Sequence, residues 1–332
     1  MSENDGIITF TRNVFIPVTN MCRNNCAYCG FRRDIGSGEA YIMTPESVRE
    51  TLRKAAEAGC VEALFTYGDA PDDELFGDRI KEFGYGSLSK YVYDLCLDAI
   101  ELGLLPHTNG GVIPRDDLKM LGEVNSSMGL MLETTADLEA HALSPLKDPA
   151  KRIGFIEDAG RFKIPFTTGI LVGIGETWAD RKEALEVIAG LHKKYDHIQE
   201  VIVQNFVPKS YTRMGKVEPP SVEEMIKVLK MARDILPEDI SLQAPPNLTS
   251  HLNEFLAAGA EDIGGISPVT LDYINPECRW PTLDELRSMG LNLRERLPIY
   301  PKYIKKGWYG DRIKDLIKFY SDEEGYRAER HI

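Results

Sequence analysis

Three cysteines fall within one short stretch, Cys22-x3-Cys26-x2-Cys29, directly after the apolar run Val14-Phe15-Ile16-Pro17-Val18. Three thiolates suffice to hold three irons of a 4Fe–4S cube and leave the fourth iron open to a small molecule. Such an open iron implies chemistry rather than storage. Tetrahedral zinc asks for a fourth Cys or His at short spacing, and none lies between Cys29 and Cys60. A zinc-stabilised binding protein without catalysis is therefore the alternative of a different class. Tyr28, beside the third cysteine, either packs over a ligand or covers the loop. Cys60, Cys96 and Cys278 are too dispersed to share a metal. The first two read as small buried hydrophobes, and Cys278, beyond the last strand on the ligand-bearing face, is left open.

The chain has 332 residues, 43% of them hydrophobic, and carries 39 Lys+Arg against 52 Asp+Glu, for a net charge of -13. That balance argues against a nucleic-acid partner. The segment from Met1 to Ile8 lacks the basic start and apolar core of a signal peptide, and no stretch approaches the roughly 20 apolar residues of a membrane span. A cytoplasmic protein is expected, where thiols stay reduced and serve as ligands or packing groups.

The elements that must position the cysteines alternate along the whole chain. Strands are predicted at 14–18, 63–67, 104–108, 128–132, 166–172, 198–206, 240–244 and 263–266. Helices are predicted at 45–59, 88–102, 115–121, 149–161, 178–195, 221–236, 248–258 and 283–289. Eight βα units predict an α/β fold, a TIM-type (β/α)8 barrel. An open dinucleotide-binding sheet shares the alternation, but Gly173-Ile174-Gly175 lacks the third glycine of the phosphate fingerprint. The division expected is a barrel domain over 1–300 and a C-terminal extension over 301–332, with a helix at 309–320 and a frayed tail at 323–332.

Active sites of such barrels lie at the C-terminal ends of the strands. There the sequence places Cys22 to Cys29, Gly68-Asp69, Thr108-Asn109-Gly110-Gly111, Glu133-Thr134-Thr135, Gly173 to Glu176 and Gln204-Asn205. Strand exits favour small polar residues for turn geometry alone. Glu133 is more pointed, because an acid ending the run Met128 to Leu132 costs several kcal/mol if buried unpaired.

The cysteine spacing, Tyr28 and the location after the first strand together resemble the radical S-adenosylmethionine superfamily. The resemblance implies a 4Fe–4S cluster on Cys22, Cys26 and Cys29, which generates the radical. S-adenosyl-L-methionine is chelated at the open iron, and a reducing electron donor triggers its cleavage to a 5'-deoxyadenosyl radical that abstracts a substrate hydrogen. It also implies cofactor contacts from Tyr28, from Gly68 and Asp69 in a motif that departs from the family's Gly-Gly-Glu pattern, from Glu133, and from Arg152 toward the methionine carboxylate. A solvated helix charge is the other reading of Arg152. Thr168 to Glu176, with Gly173, resembles the strand that contacts adenine.

Within the superfamily, Cys26 to Arg33, Thr66 to Asp72, Gln204 to Lys209 and Asp262 to Thr270 resemble the CofG-type subunit family of deazaflavin (FO) synthase, over about 10–300. The resemblance implies a carbon–nitrogen lyase of deazaflavin coenzyme biosynthesis. Its substrate would be the 5-amino-5-(4-hydroxybenzyl)-6-(D-ribitylimino)-5,6-dihydrouracil adduct, converted to FO with loss of ammonia. A companion CofH-type subunit, making the adduct from tyrosine and 5-amino-6-(D-ribitylamino)uracil, is the implied functional partner. For such a substrate Asn109, Gln204, Asn205, Ser267 and Thr270 offer polar contacts, Tyr67 or Phe206 an apolar wall, and His107 and Asp69 stand where a proton is handled. The rival readings are the companion subunit, a biotin synthase, which needs a second cysteine-bound cluster, and a hydrogenase maturase.

Overall fold

The computed structural model describes residues 6–329. Eight parallel strands follow one another in chain order: β1 (Ile7–Thr19), β2 (Glu62–Tyr67), β3 (Leu105–Asn109), β4 (Ser127–Gly129), β5 (Phe166–Val172), β6 (Ile198–Asn205), β7 (Ser241–Gln243) and β8 (Asp262–Ile266). Strand β1 pairs with both β8 and β2, so the sheet closes into the TIM-type (β/α)8 barrel that the alternation predicts. Around it lie α1 (Pro45–Glu57), α2 (Glu74–Glu82), α3 (Leu88–Glu101), α4 (Arg115–Gly122), α5 (Pro149–Arg161), α6 (Trp178–Tyr195), α7 (Val222–Ile235) and α8 (Leu252–Ala257). Local chemistry sets their starts. Thr44 Oγ1 accepts from the Ser47 N–H at 3.2 Å and Pro45 opens α1, while Thr177 and Asp180 cap α6 reciprocally, each cap contributing about 1 kcal/mol. Helix α1 turns Val48, Leu52 and Ala55 toward the sheet, the spacing that puts one apolar stripe on a helix.

The structure departs from the expected elements where local signals are weak. Helix α2 was not expected: it has Gly77 in its middle, which costs about 1 kcal/mol, and buries only Phe76 and Ile80. Strand β1 begins at Ile7, because its first residues run past the barrel to pair in parallel with β9 (Asn292–Glu295), a strand absent from the sequence reading. Strand β4 ends at Gly129, short of Leu132, and α8 starts later than expected, behind a 3₁₀ turn at Pro246–Leu248. Beyond α9 (Leu283–Ser288), the chain forms α10 (Pro301–Lys306) and α11 (Lys314–Tyr320). Tyr303, Ile313 and Ile317 pack with Val61, Leu105 and Leu297 in one buried cluster. The tail is not frayed over 323–329: Ser321 bridges Arg327, whose guanidinium pairs with buried Glu295. Residues 330–332, like Met1 to Asp5, lie outside the described residues.

Parallel strands covered on both faces are ordinarily apolar on both, yet here many inward positions are polar, interleaved with Phe15, Leu64 and Ile202. Alternate residues Thr11, Asn13, Glu62, Thr66, Glu200 and Gln204 point into the barrel and line a cavity of about 190 Å³. Arg296, just after β9, closes the floor. Its guanidinium meets Asp262 at 2.6 and 2.9 Å and Glu200 at 3.0 Å, and lies 4.3 Å from the centre of the Tyr300 ring, whose hydroxyl also donates to Glu200 at 3.0 Å. All of these groups are buried.

Burial pushes Glu62 and Glu200 up to about 7, against the pull of Arg296. The unfolded chain ionises both near 4.5. Between these values the folded protein holds protons that the unfolded chain has released. The stability contribution is therefore full below about pH 4.5 and is lost as pH rises through about 7. Glu62→Gln removes one such group, so its melting temperature relative to the wild type should rise between about pH 4.5 and pH 7; a pH-independent difference would show that Glu62 does not titrate there. Arg296→Met leaves Glu200 and Asp262 without their counter-charge and should cost about 3–5 kcal/mol in urea unfolding. A loss below about 1 kcal/mol would contradict the floor assignment.

Candidate active site

The loop after β1 is held from several sides. The Asn25 and Ala27 N–H groups donate to Leu143 and Ala140 at 3.0 and 2.8 Å, and the Arg23 N–H donates to the Asp69 carbonyl at 2.8 Å. Cys26 is buried and accepts from Ser144 Oγ at 3.3 Å, while Cys22 and Cys29 are partly exposed. Burial, then the Asp69 charge, pushes Cys22 up to about 12, and burial also raises Cys26 against the pull of Lys147. Cys22 and Cys26 therefore hold their protons until a metal replaces them. As a group their sulfurs are not all within 4.8 Å of one another. Tetrahedral zinc would need a fourth ligand beside them. Gly68 makes room at the same place: a Cβ there would lie 2.5 Å from Cys22 Sγ. The donor set and this cradle fit a cube held by three thiolates.

Next to the thiols lies a cavity of about 260 Å³ at the barrel mouth. It takes in Cys22, Cys26, Cys29, Tyr28, Gly68, Asp69, Glu133 and Arg152, and also Tyr67, Asn109, Gln204 and Asn205. Arg152 is only 3% exposed, so it is no solvated helix charge. Its Nε donates to the Met131 carbonyl at 2.6 Å, and Nη1 lies 3.9 Å from Asp69. Asp69 is occupied on both oxygens, by the Val112 N–H at 2.6 Å and by the Asn24 amide. It ties the ends of β1, β2 and β3 together. Glu133 has a positive φ of 68°, unusual for a residue with a side chain. It is held there by its N–H to Gly169 at 3.0 Å and its carbonyl to the Leu171 N–H at 3.1 Å. Burial alone raises its pKa, but Lys147, in direct contact, and Arg152 outweigh this and keep it below the usual range.

Other expected residues sit elsewhere. Gly173 does not line either cavity; its N–H donates to Glu176 at 2.8 Å, and Glu176 is paired with Arg181. Ser267 and Thr270 bond each other at 2.8 Å, and Thr270 accepts from the Phe15 N–H at 2.9 Å, closing the turn after β8 outside both linings. Tyr67 reaches the cavity but is 4% exposed and packs in the core between sheet and helices. Asn205 lends its amide to the Leu248 carbonyl at 3.0 Å. Cys278 lines neither cavity. Lys147, Asn24 and buried Lys209, which donates to Asn275 at 2.8 Å, also line the mouth and were not singled out. Their positions in irregular loops give no periodic signal. The inward polar residues of the barrel did give one: Thr11-x-Asn13, Glu62-x-Leu64-x-Thr66 and Glu200-x-Ile202-x-Gln204 put polar groups on the same face of their strands, at both ends of an apolar residue in β2 and β6.

No helix among the described residues is long and apolar enough to cross a membrane. The family model described as the radical SAM superfamily matches residues 16–188. The chain is 53% identical over 326 residues to the 7,8-didemethyl-8-hydroxy-5-deazariboflavin synthase of Methanococcoides burtonii, covering 97% of this chain and 98% of that protein. It is 50% identical to the synthase of the same name from Archaeoglobus fulgidus, covering 96% and 98%. Among solved structures, the [FeFe]-hydrogenase maturase HydG superimposes with a TM-score of 0.72 at 18% identity, over 94% of this chain and 68% of that one. Methylornithine synthase (PylB) gives 0.62 at 18%, over 94% and 86%. At such identity these two speak for the barrel fold alone.

The Gly68 cradle yields a direct test. Gly68→Ala should at least roughly halve the iron held after anaerobic reconstitution, with the far-ultraviolet circular dichroism unchanged; a full iron complement with an unaltered electron paramagnetic resonance spectrum would show that Gly68 does not shape the Cys22 position. With half of its residues shared with full-length relatives and the superfamily model spanning its cysteine loop, the chain belongs to the radical S-adenosylmethionine superfamily, whose cofactors are a 4Fe–4S cluster and S-adenosylmethionine, and within it to the family of the 7,8-didemethyl-8-hydroxy-5-deazariboflavin synthases.

Proposed function

We propose that this chain is the CofG-type component of FO synthase, a carbon–nitrogen lyase. It converts the hydroxybenzyl–ribitylimino-dihydrouracil adduct to 7,8-didemethyl-8-hydroxy-5-deazariboflavin with loss of ammonia. The single observation that carries this reading is the match along nearly the whole chain to proteins named for that product. The architecture of the cavity supports it. The mouth and the barrel interior share Thr66, Asn109, Gln204, Ile274 and Asn275 in their linings, so the two chambers adjoin between the thiols and the floor. The substrate demands such a space, with an aromatic limb at one end and a polar one at the other.

Cys22, Cys26 and Cys29 would hold the cluster, with S-adenosylmethionine beside Gly68, Glu133, Lys147 and Arg152. When bound, this pair supplies hydrogen abstraction by a carbon-centred radical. The residues of the chain do the rest. Arg152 and Lys147 present positive charge to a carboxylate, and Glu133, kept ionised, presents an acceptor to an ammonium or a sugar hydroxyl. Asp69 braces the mouth rather than moving a proton, since its oxygens are already occupied. Tyr28, Leu171 and Phe206 form an apolar wall that excludes water. Asn109 and Gln204, whose amides make no hydrogen bond among the described residues, face the substrate between the two chambers. A companion CofH-type subunit would supply the adduct.

Reduced, reconstituted protein given the pre-made adduct and S-adenosylmethionine should form fluorescent FO and 5'-deoxyadenosine without tyrosine or a second protein. Formation of 5'-deoxyadenosine with tyrosine, while the adduct persists, would instead assign the companion's reaction.

A further inference from the structure

The register that pairs β3 with β4 sets His107 opposite Ser127, deep in the barrel. Ser127 Oγ lies 2.6 Å from the Pro298 carbonyl, a separation that needs a hydrogen between the two oxygens, and only the serine has one to give. Ser127 Oγ is then an acceptor toward His107, 2.7 Å away, so Nδ1 of His107 carries the ring hydrogen. Nε2 is left with a lone pair and makes no hydrogen bond among the described residues. His107 is 6% exposed and lines the lower cavity. Burial, with the nearby Arg296 charge, pulls its pKa down to about 3, so the imidazole stays neutral and its Nε2 stays an acceptor.

Its surroundings are polar as well. Gln243, 8% exposed, turns an unpartnered amide into the chamber, and the Glu62 carboxyl and the Thr167 hydroxyl line it. At about 190 Å³ the chamber is smaller than the roughly 300–1,000 Å³ of sites that enclose a whole drug-sized ligand. It admits a limb and leaves the ring system above. A narrow chamber lined by both donors and acceptors suits a chain of hydroxyl groups, each able to donate and to accept.

We infer that the barrel floor is a polyol subsite, in which His107 Nε2, fixed as an acceptor by the Ser127–Pro298 relay, receives a hydroxyl of the substrate's ribityl chain. The inference rests on the reading of the chain as an FO-forming enzyme, and deepens it by naming which limb of the substrate goes down.

The test is equilibrium binding of FO, followed by its own fluorescence, to the anaerobic cluster-loaded protein, beside the 10-methyl analogue that lacks the polyol. The wild type should prefer FO. His107→Phe should reduce that preference about tenfold, and His107→Gln, which keeps a carbonyl acceptor, should restore part of it. Ser127→Ala lies behind His107; by freeing the ring to carry its hydrogen on Nε2, it should weaken FO and spare the analogue. Equal weakening of both ligands in His107→Phe and Ser127→Ala, or no change in either, overturns the polyol subsite while wild-type binding of FO stands. A wild type that binds neither compound removes the FO-forming reading as well.

Discussion

A guanidinium buried under three carboxyl groups makes the rest of this structure possible. Glu62, Glu200 and Asp262 stand near the starts of their strands; Glu62 and Glu200 line the lower cavity, and Asp262 holds Arg296. Arg296 keeps Asp262 ionised and pulls Glu62 and Glu200 down against burial; without it these carboxyl groups would stay neutral or give way to apolar side chains. The barrel would then be filled with layers of aliphatic residues, as this fold usually is. With Arg296 in place the interior stays polar and hollow. Such a buried ion cluster adds little net stability compared with apolar packing, so the polar interior is better explained by what it accommodates than by the stability it adds.

The two ends of the barrel are built on opposite principles. The floor is assembled from regular strands, and its groups are fixed by sheet register. The mouth is assembled from loops, and its groups are fixed by cross-braces. Asp69 joins the cysteine loop to the segment after β3, and Arg152 reaches from α5 to the Met131 carbonyl. Glu133 is locked into a left-handed conformation that costs about 1–3 kcal/mol by the strand beside it. A mouth braced in this way can gather three thiols, Cys22 and Cys26 among them raised by burial, and still leave them free to take up a metal centre.

Much of this was legible in the sequence, for identifiable reasons. Eight βα units with capped helices state the barrel, because caps and apolar stripes are local. The cysteine spacing is likewise local. Helix α2 was hidden by Gly77, and β9 by its dependence on a partner 285 residues away, the pairing of Ile7 with Asn292. The tail looked frayed because its anchor, Arg327 on Glu295, is a tertiary contact with no periodic trace. At the site, Lys147 and Lys209 come from loops whose paths no pattern encodes. Gly173, Ser267 and Thr270 had the composition of ligand contacts, and the structure engages them in turns. The alternating polar residues of β1, β2 and β6 were visible all along, and their meaning emerges only once the closed sheet turns them to one axis.

The central claim is that this axis orders the substrate, with the reacting ring system under the cysteine loop and the polyol on the floor. An anaerobic crystal structure of the cluster-loaded protein with FO tests it most directly. The account predicts electron density for the ribityl chain within hydrogen-bonding distance of His107 Nε2 and the tricyclic ring against Phe206. A ribityl chain directed outward, with ordered water alone on the floor, would contradict it.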